Sequence, residues 1–153
     1  MTATASEPKA TTAPGPERVV RDFLLALEAN ELDRALTLVA EDIVYTNVSL
    51  PTIRGRARID GVFRPLQRIG GRFRVHFHTV ATHGNTVLTE RTDELALGRV
   101  AQRFWVYGRF EVQDGLITEW RDSFDWYDLA ISLVRGVAGA VSPGLNRRWP
   151  GSD

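Results

Sequence analysis

The chain predicts an α+β fold in which helices cover one side of a curved, mixed and mostly antiparallel sheet. Three observations predict it. Apolar residues recur at helical spacing in the first third and again near the C-terminus, whereas residues 72–124 alternate largely with period two. The pairs Gly84-Asn85, Gly98-Arg99 and Asp114-Gly115 divide that middle stretch into runs of strand length. A chain of 153 residues is long enough for one domain with a real core and too short for two ordinary ones. Helices and strands segregated in this way imply layers of separate type rather than alternating βαβ units.

Residues 1–15 are mostly Thr, Ala, Ser, Pro and Glu, and read as a disordered leader without the apolar stretch of a signal peptide. Pro16 and Glu17 then open a helix through Val20, Phe23, Leu24 and Leu27, with proline tolerated in the first turn and an acid favourable there. Asn30 breaks it, and Leu32, Ala35, Leu36 and Val39 mark a second, short helix. A strand over residues 43–48 ends at Pro51, and residues 52–55 form a loop. Residues 56–69 are weakly helical through Ile59, Val62, Phe63 and Leu66, and Pro65 is expected to kink or shorten that helix. Four strands in meander order follow, over residues 72–83, 86–97, 100–112 and 116–124. A helix over roughly residues 127–140 completes a single unit spanning 16–141, and residues 142–153 are expected to form a flexible tail.

Nineteen basic residues balance nineteen acidic ones and are spread along the chain, so no net field favours nucleic acid. Cysteine is absent, which excludes disulfides, thiolate catalysis and cysteine-metal sites. No run reaches the roughly 20 apolar residues of a membrane span, and a cytoplasmic protein is the simplest reading. His76 and His78 fall on the strand face opposite Phe73, Val75 and Phe77; with His83 they read as surface histidines, and no metal is expected.

Strand parity singles out a different set. On a strand, Arg91 and Asp93 share one face, as do Trp120 and Asp122, and as do Tyr45 and Asn47. If that face meets the helices, the ionic groups must meet each other, because a half-buried charge is costly unless paired. The alternative is that they line a solvated face.

The segments Tyr45-Thr46-Asn47-Val48, Leu88-Thr89-Glu90-Arg91-Thr92-Asp93, and Trp120-Arg121-Asp122 with Phe124-Asp125 resemble the limonene-1,2-epoxide hydrolase family, in particular its mycobacterial-type members, within the NTF2-like or cystatin-like cone-shaped folds. The resemblance runs from about Glu17 to Val141. It implies a catalytic group of Asp93, Arg91 and Asp122, a water-holding pair of Tyr45 and Asn47, and Trp120 beside the second acid. It also implies a homodimer, no cofactor and no covalent intermediate. In that chemistry Asp122 takes a proton from water as it attacks one epoxide carbon, and Asp93 protonates the opening oxygen. A neutral cluster of two carboxyls, one guanidinium and one retained proton suits a partly apolar cavity.

The remaining pocket wall is expected from Val48, Val75, Phe77, Val106 and Phe124, with Leu129 or Leu133 at the mouth. Such a wall suits a small hydrophobic epoxide, which water converts to a vicinal diol. The competing readings are a ketosteroid-isomerase-like or polyketide-cyclase-like enzyme, and a non-catalytic dimer that binds hydrophobic ligands.

Overall fold

The computed structural model describes residues 14–151; residues 1–13 of the expected leader and residues 152–153 of the expected tail lie outside it. Helix α1 (Pro16–Glu28) begins with proline at its first turn and buries Val19, Val20, Phe23, Leu24 and Ala26. Asn30 ends the run in the left-handed conformation, which asparagine tolerates better than most residues. Helix α2 (Leu32–Thr37) is only six residues long. Val39, expected in that helix, instead opens strand β1 (Val39–Asn47), where it is fully buried and pairs with Ile117. A β-branched residue with a strand partner on offer takes the extended state. Within the segment expected to be a loop, Ile53–Arg54 form a two-residue strand, β2, against β1.

Helix α3 (Arg56–Arg68) retains Pro65 and ends three residues beyond it. Strands β3 (Arg72–His83), β4 (Thr86–Leu97), β5 (Val100–Gln113) and β6 (Leu116–Ser123) form the expected meander. Asp125 then caps helix α4 (Trp126–Val141), its carboxylate accepting from the amides of Tyr127 at 2.7 Å and Asp128 at 3.0 Å. No helix among the described residues is long and apolar enough to cross a membrane.

The sheet runs in the order β2-β1-β6-β5-β4-β3, with β1 parallel to β6 and every other pair antiparallel. The chain thus returns to lay its last strand beside its first long one. The core lies between α1 and the sheet, where Val20, Phe23 and Leu24 pack with Ile43, Val87, Phe110, Ile117 and Trp120. Helix α4 approaches β5 closely at Gly136, where an added Cβ would lie 2.6 Å from the carbonyl oxygen of Ala101. In the segment expected to be a flexible tail, Pro143–Leu145 form one 3-10 turn and Asn146 donates to Ala101 O at 2.8 Å. Arg147 pairs with Asp128, and the ring of Trp149 lies 4.1 Å from the Arg74 guanidinium. These contacts hold residues 146–149 against α4 and strands β3 and β5.

Candidate active site

Strand register assembles the site. Thr89 of β4, Gly108 of β5, Asp122 of β6 and Asn47 of β1 are successive cross-strand partners and form one row across the sheet. The adjacent row runs Val87, Phe110, Trp120 and Tyr45. Arg91 and Asp93 follow Thr89 at intervals of two on β4, opposite Val106 and Phe104. Period two keeps all of these side chains on the face that the helices cover.

Arg91 is completely buried, and its guanidinium organises the cluster. Its Nε donates to both oxygens of Asp93, at 2.9 and 3.1 Å. Its Nη2 donates to Asp122 Oδ2 at 2.6 Å, and its Nη1 to Thr89 Oγ1 at 3.0 Å. Both carboxylates are themselves buried. Asp122 Oδ1 is enclosed yet receives no hydrogen bond among the described residues, and the enclosed Trp120 Nε1–H donates none. Asn47 Nδ2 donates to Tyr45 OH at 2.7 Å, and Trp120 stacks on the Tyr45 ring with centroids 4.0 Å apart.

Two negative groups share one positive group here, out of contact with bulk water. Burial pushes the Asp93 carboxyl up to about 6; the Arg91 charge opposes that shift and the Asp122 charge adds to it. Burial alone would lower the Arg91 pKa, but the charges of Asp122 and Asp93 reverse this and hold it above its ordinary value. The Tyr45 phenol is raised too, chiefly by burial and then by the Asp122 charge, so it stays protonated.

These groups open into a cavity of about 310 Å³, at the lower end of the range for small-molecule sites. Tyr45, Asn47, Asp93 and Asp122 contribute polar groups to its wall, and Trp120, Val106, Phe124 and Leu129 line it as well. Four expected wall residues are elsewhere. Val75 belongs to the core under α1, and Phe77 packs beside it with the Arg21 guanidinium 4.7 Å above its ring. They share the correct face of β3, but the helix covers that part of the strand, and only Phe73 reaches the cavity. Val48 lies past the end of β1, where its amide donates to Asp122 O, and Leu133 points outward from α4 and is about half exposed. The wall that strand parity missed comes from α1 and α3, through Leu27, Val62, Phe63 and Leu66, and from Leu95, Gln102 and Phe104 on the sheet. The apolar spacing of residues 62, 63 and 66 was the available signal for the α3 contribution.

Among the described residues no group of three metal-ligating side chains is gathered. His78 bonds Thr92 Oγ1 at 2.8 Å and stacks on Trp105, away from the cavity lining.

The chain is similar to known proteins in sequence and fold. The solved structure of an LEH-like epoxide hydrolase from Mycobacterium tuberculosis is similar, with a TM-score of 0.83 and 41% sequence identity, covering 94% of this chain and 100% of the other. Epoxide hydrolase EphG of Mycobacterium tuberculosis is 42% identical over 143 residues, which are 93% of this chain and 95% of the relative. A putative ketosteroid isomerase from Kribbella flavida has a TM-score of 0.58 at 22% identity, covering 72% of this chain and 77% of its own, and shares the fold alone. The family model for the limonene-1,2-epoxide hydrolase catalytic domain matches residues 14–135. That span contains every residue of the Arg91 cluster and the whole of the Tyr45–Asn47 pair, and the chain belongs to the limonene-1,2-epoxide hydrolase family of enzymes.

Proposed function

We propose that the enzyme adds water directly to a small hydrophobic epoxide in one concerted acid/base step, giving a vicinal diol without a covalent intermediate. Asp122 is the base. Its Oδ1 takes a proton from the attacking water while the water oxygen bonds to one epoxide carbon and the bond from that same carbon to the ring oxygen breaks. Asp93 is the acid, and its proton goes to the oxygen released from the ring. Asn47 and Tyr45 hold the water with its lone pair toward carbon, since an amide and a phenol each donate and accept. Arg91 keeps both carboxyls in place and in electrostatic contact, so the proton gained by Asp122 returns to Asp93 after turnover.

The observation that carries this reading is the single buried Arg91 bonded to both acids, with Asp122 Oδ1 left unbonded and the Asp93 carboxyl pushed up to about 6. A raised proton affinity at Asp93 and an oxygen without a protein donor at Asp122 are what the acid and the base respectively require. Aromatic and aliphatic side chains around the acids support a hydrophobic substrate. The step needs no cofactor, because side chains serve as every proton donor and acceptor. A homodimer and a cytoplasmic location belong to the same proposal, and nucleic acid is no part of it.

Asp122→Asn is expected to fold and to lose diol formation by about 10²–10⁴-fold on a panel of terpene, fatty-acid, aromatic and sterol epoxides. A single turnover in ¹⁸O-water is expected to place label in the diol and none in a protein carboxylate. Label found first on an aspartate would mean attack by that aspartate and overturn the direct route.

A further inference from the structure

Arg91 and Asp122 are not on neighbouring strands. Strand β5 lies between β4 and β6, so the two backbones are about 10 Å apart at the usual strand spacing. The Arg91 side chain closes that distance by lying across β5, and it crosses at Gly108. A Cβ at residue 108 would lie 2.2 Å from Arg91 Nη1, 2.6 Å from Thr89 Oγ1 and 3.0 Å from Asp122 Oδ1. The first two separations are shorter than non-bonded atoms tolerate, and the third crowds the carboxylate oxygen that no described residue hydrogen-bonds.

Glycine inside a strand weakens it, and usually marks a bulge, a bend or a close approach. Gly108 sits in regular register with Thr89 on one side and Asp122 on the other, and the β5 irregularity lies farther on, between Glu111 and Val112. Its φ is not among the positive ones. Space alone explains a glycine here.

We infer that Gly108 is a positioning residue for the acid/base pair: its missing side chain is the slot through which the Arg91 guanidinium crosses β5 to bind Asp122 Oδ2 and leave Oδ1 without a protein donor. The inference rests on the reading of Asp122 as the base. A methyl group in the slot lifts Nη1 and Nη2 away from β6, so Asp122 loses the partner that orients it, while Arg91 Nε keeps Asp93 within reach from its own strand. Residue 108 does not line the cavity, so substrate binding is expected to persist.

The test is a cycle of Gly108→Ala, Arg91→Lys and the double variant, each measured by thermal melting and by kcat and KM on the best epoxide of the panel. Lysine lacks the planar fork and has no Nη1 to collide with the added methyl. Gly108→Ala is expected to lower kcat by about 10²-fold, the scale of a misplaced catalytic group, with KM within a few-fold of wild type. In the Arg91→Lys background, itself poorly active, the same substitution is expected to change kcat by less than about 3-fold. If Gly108→Ala fails to fold, Arg91→Lys is expected to restore folding of the double variant. Near-normal kcat in folded Gly108→Ala, an equal loss in both backgrounds, or unfolding that Arg91→Lys does not relieve would each overturn the inference. Full activity in Asp122→Asn would instead remove the reading beneath it, a failure the cycle does not share.

Discussion

Asp93 concentrates the pH behaviour of the site. Its ordinary pKa of 3.8 rises to about 6 because burial disfavours the charged form more than Arg91 favours it. The native state therefore binds this proton more tightly than the unfolded chain does. Its contribution to stability is fully present below about pH 4 and is lost as pH rises through about 6. Compared with Asp93→Asn, the wild type is expected to lose melting temperature across that window, measured by paired thermal scans at half-unit pH steps. With Asp93 as the acid of the proposed mechanism, kcat/KM is expected to fall on the alkaline side with an apparent pKa near 6 that belongs to the coupled pair. Parity pairs Arg91 with Asp93, Trp120 with Asp122 and Tyr45 with Asn47 on their own strands, and the family resemblance was needed to join the three pairs into one site. Gly108 was not legible, because its meaning depends on the path of a side chain from another strand.

At the scale of elements, α3 is the instructive case. Pro65 lacks the amide that would bond the carbonyl of Gly61, four residues earlier, and proline is expected to break a helix at such a position. The helix continues to Arg68 because Ile59 is buried and Phe63 packs against the core, while Pro65 itself is exposed. Pro65→Ala is expected to raise stability by up to about 3 kcal/mol, read as a higher denaturant midpoint with an unchanged slope. The strands were legible almost to their ends because alternation and turn pairs agree. Val39 and β2 were not, since each is fixed by a partner strand rather than by local pattern. The cavity wall was half legible for a related reason. Spacing identifies the apolar side of α3 but not the part of the sheet on which it docks, so Phe63 and Leu66 replace Val75 and Phe77.

For the molecule as a whole, the exposed apolar surface bears on assembly. Val134, Val137 and Val141 form one exposed stripe along α4, and Leu88, Trp105 and Tyr107 are exposed on the sheet. Apolar stripes of this kind mark surfaces that a second copy covers. Sedimentation equilibrium is expected to give twice the 17.1 kDa chain mass, and Val137→Glu to shift the population toward monomer. A single-chain mass for the wild type would refute the dimer.

The parallel pairing of β1 with β6 also has a consequence for biogenesis. Val39 meets Ile117, and Asn47 meets Asp122, each pair separated by about half the chain. Contacts so distant along the chain form late and slow the search for the native state. Residue 122 must therefore be synthesised before the Tyr45–Asn47 pair can face Asp122, and shorter nascent fragments are expected to lack the assembled site.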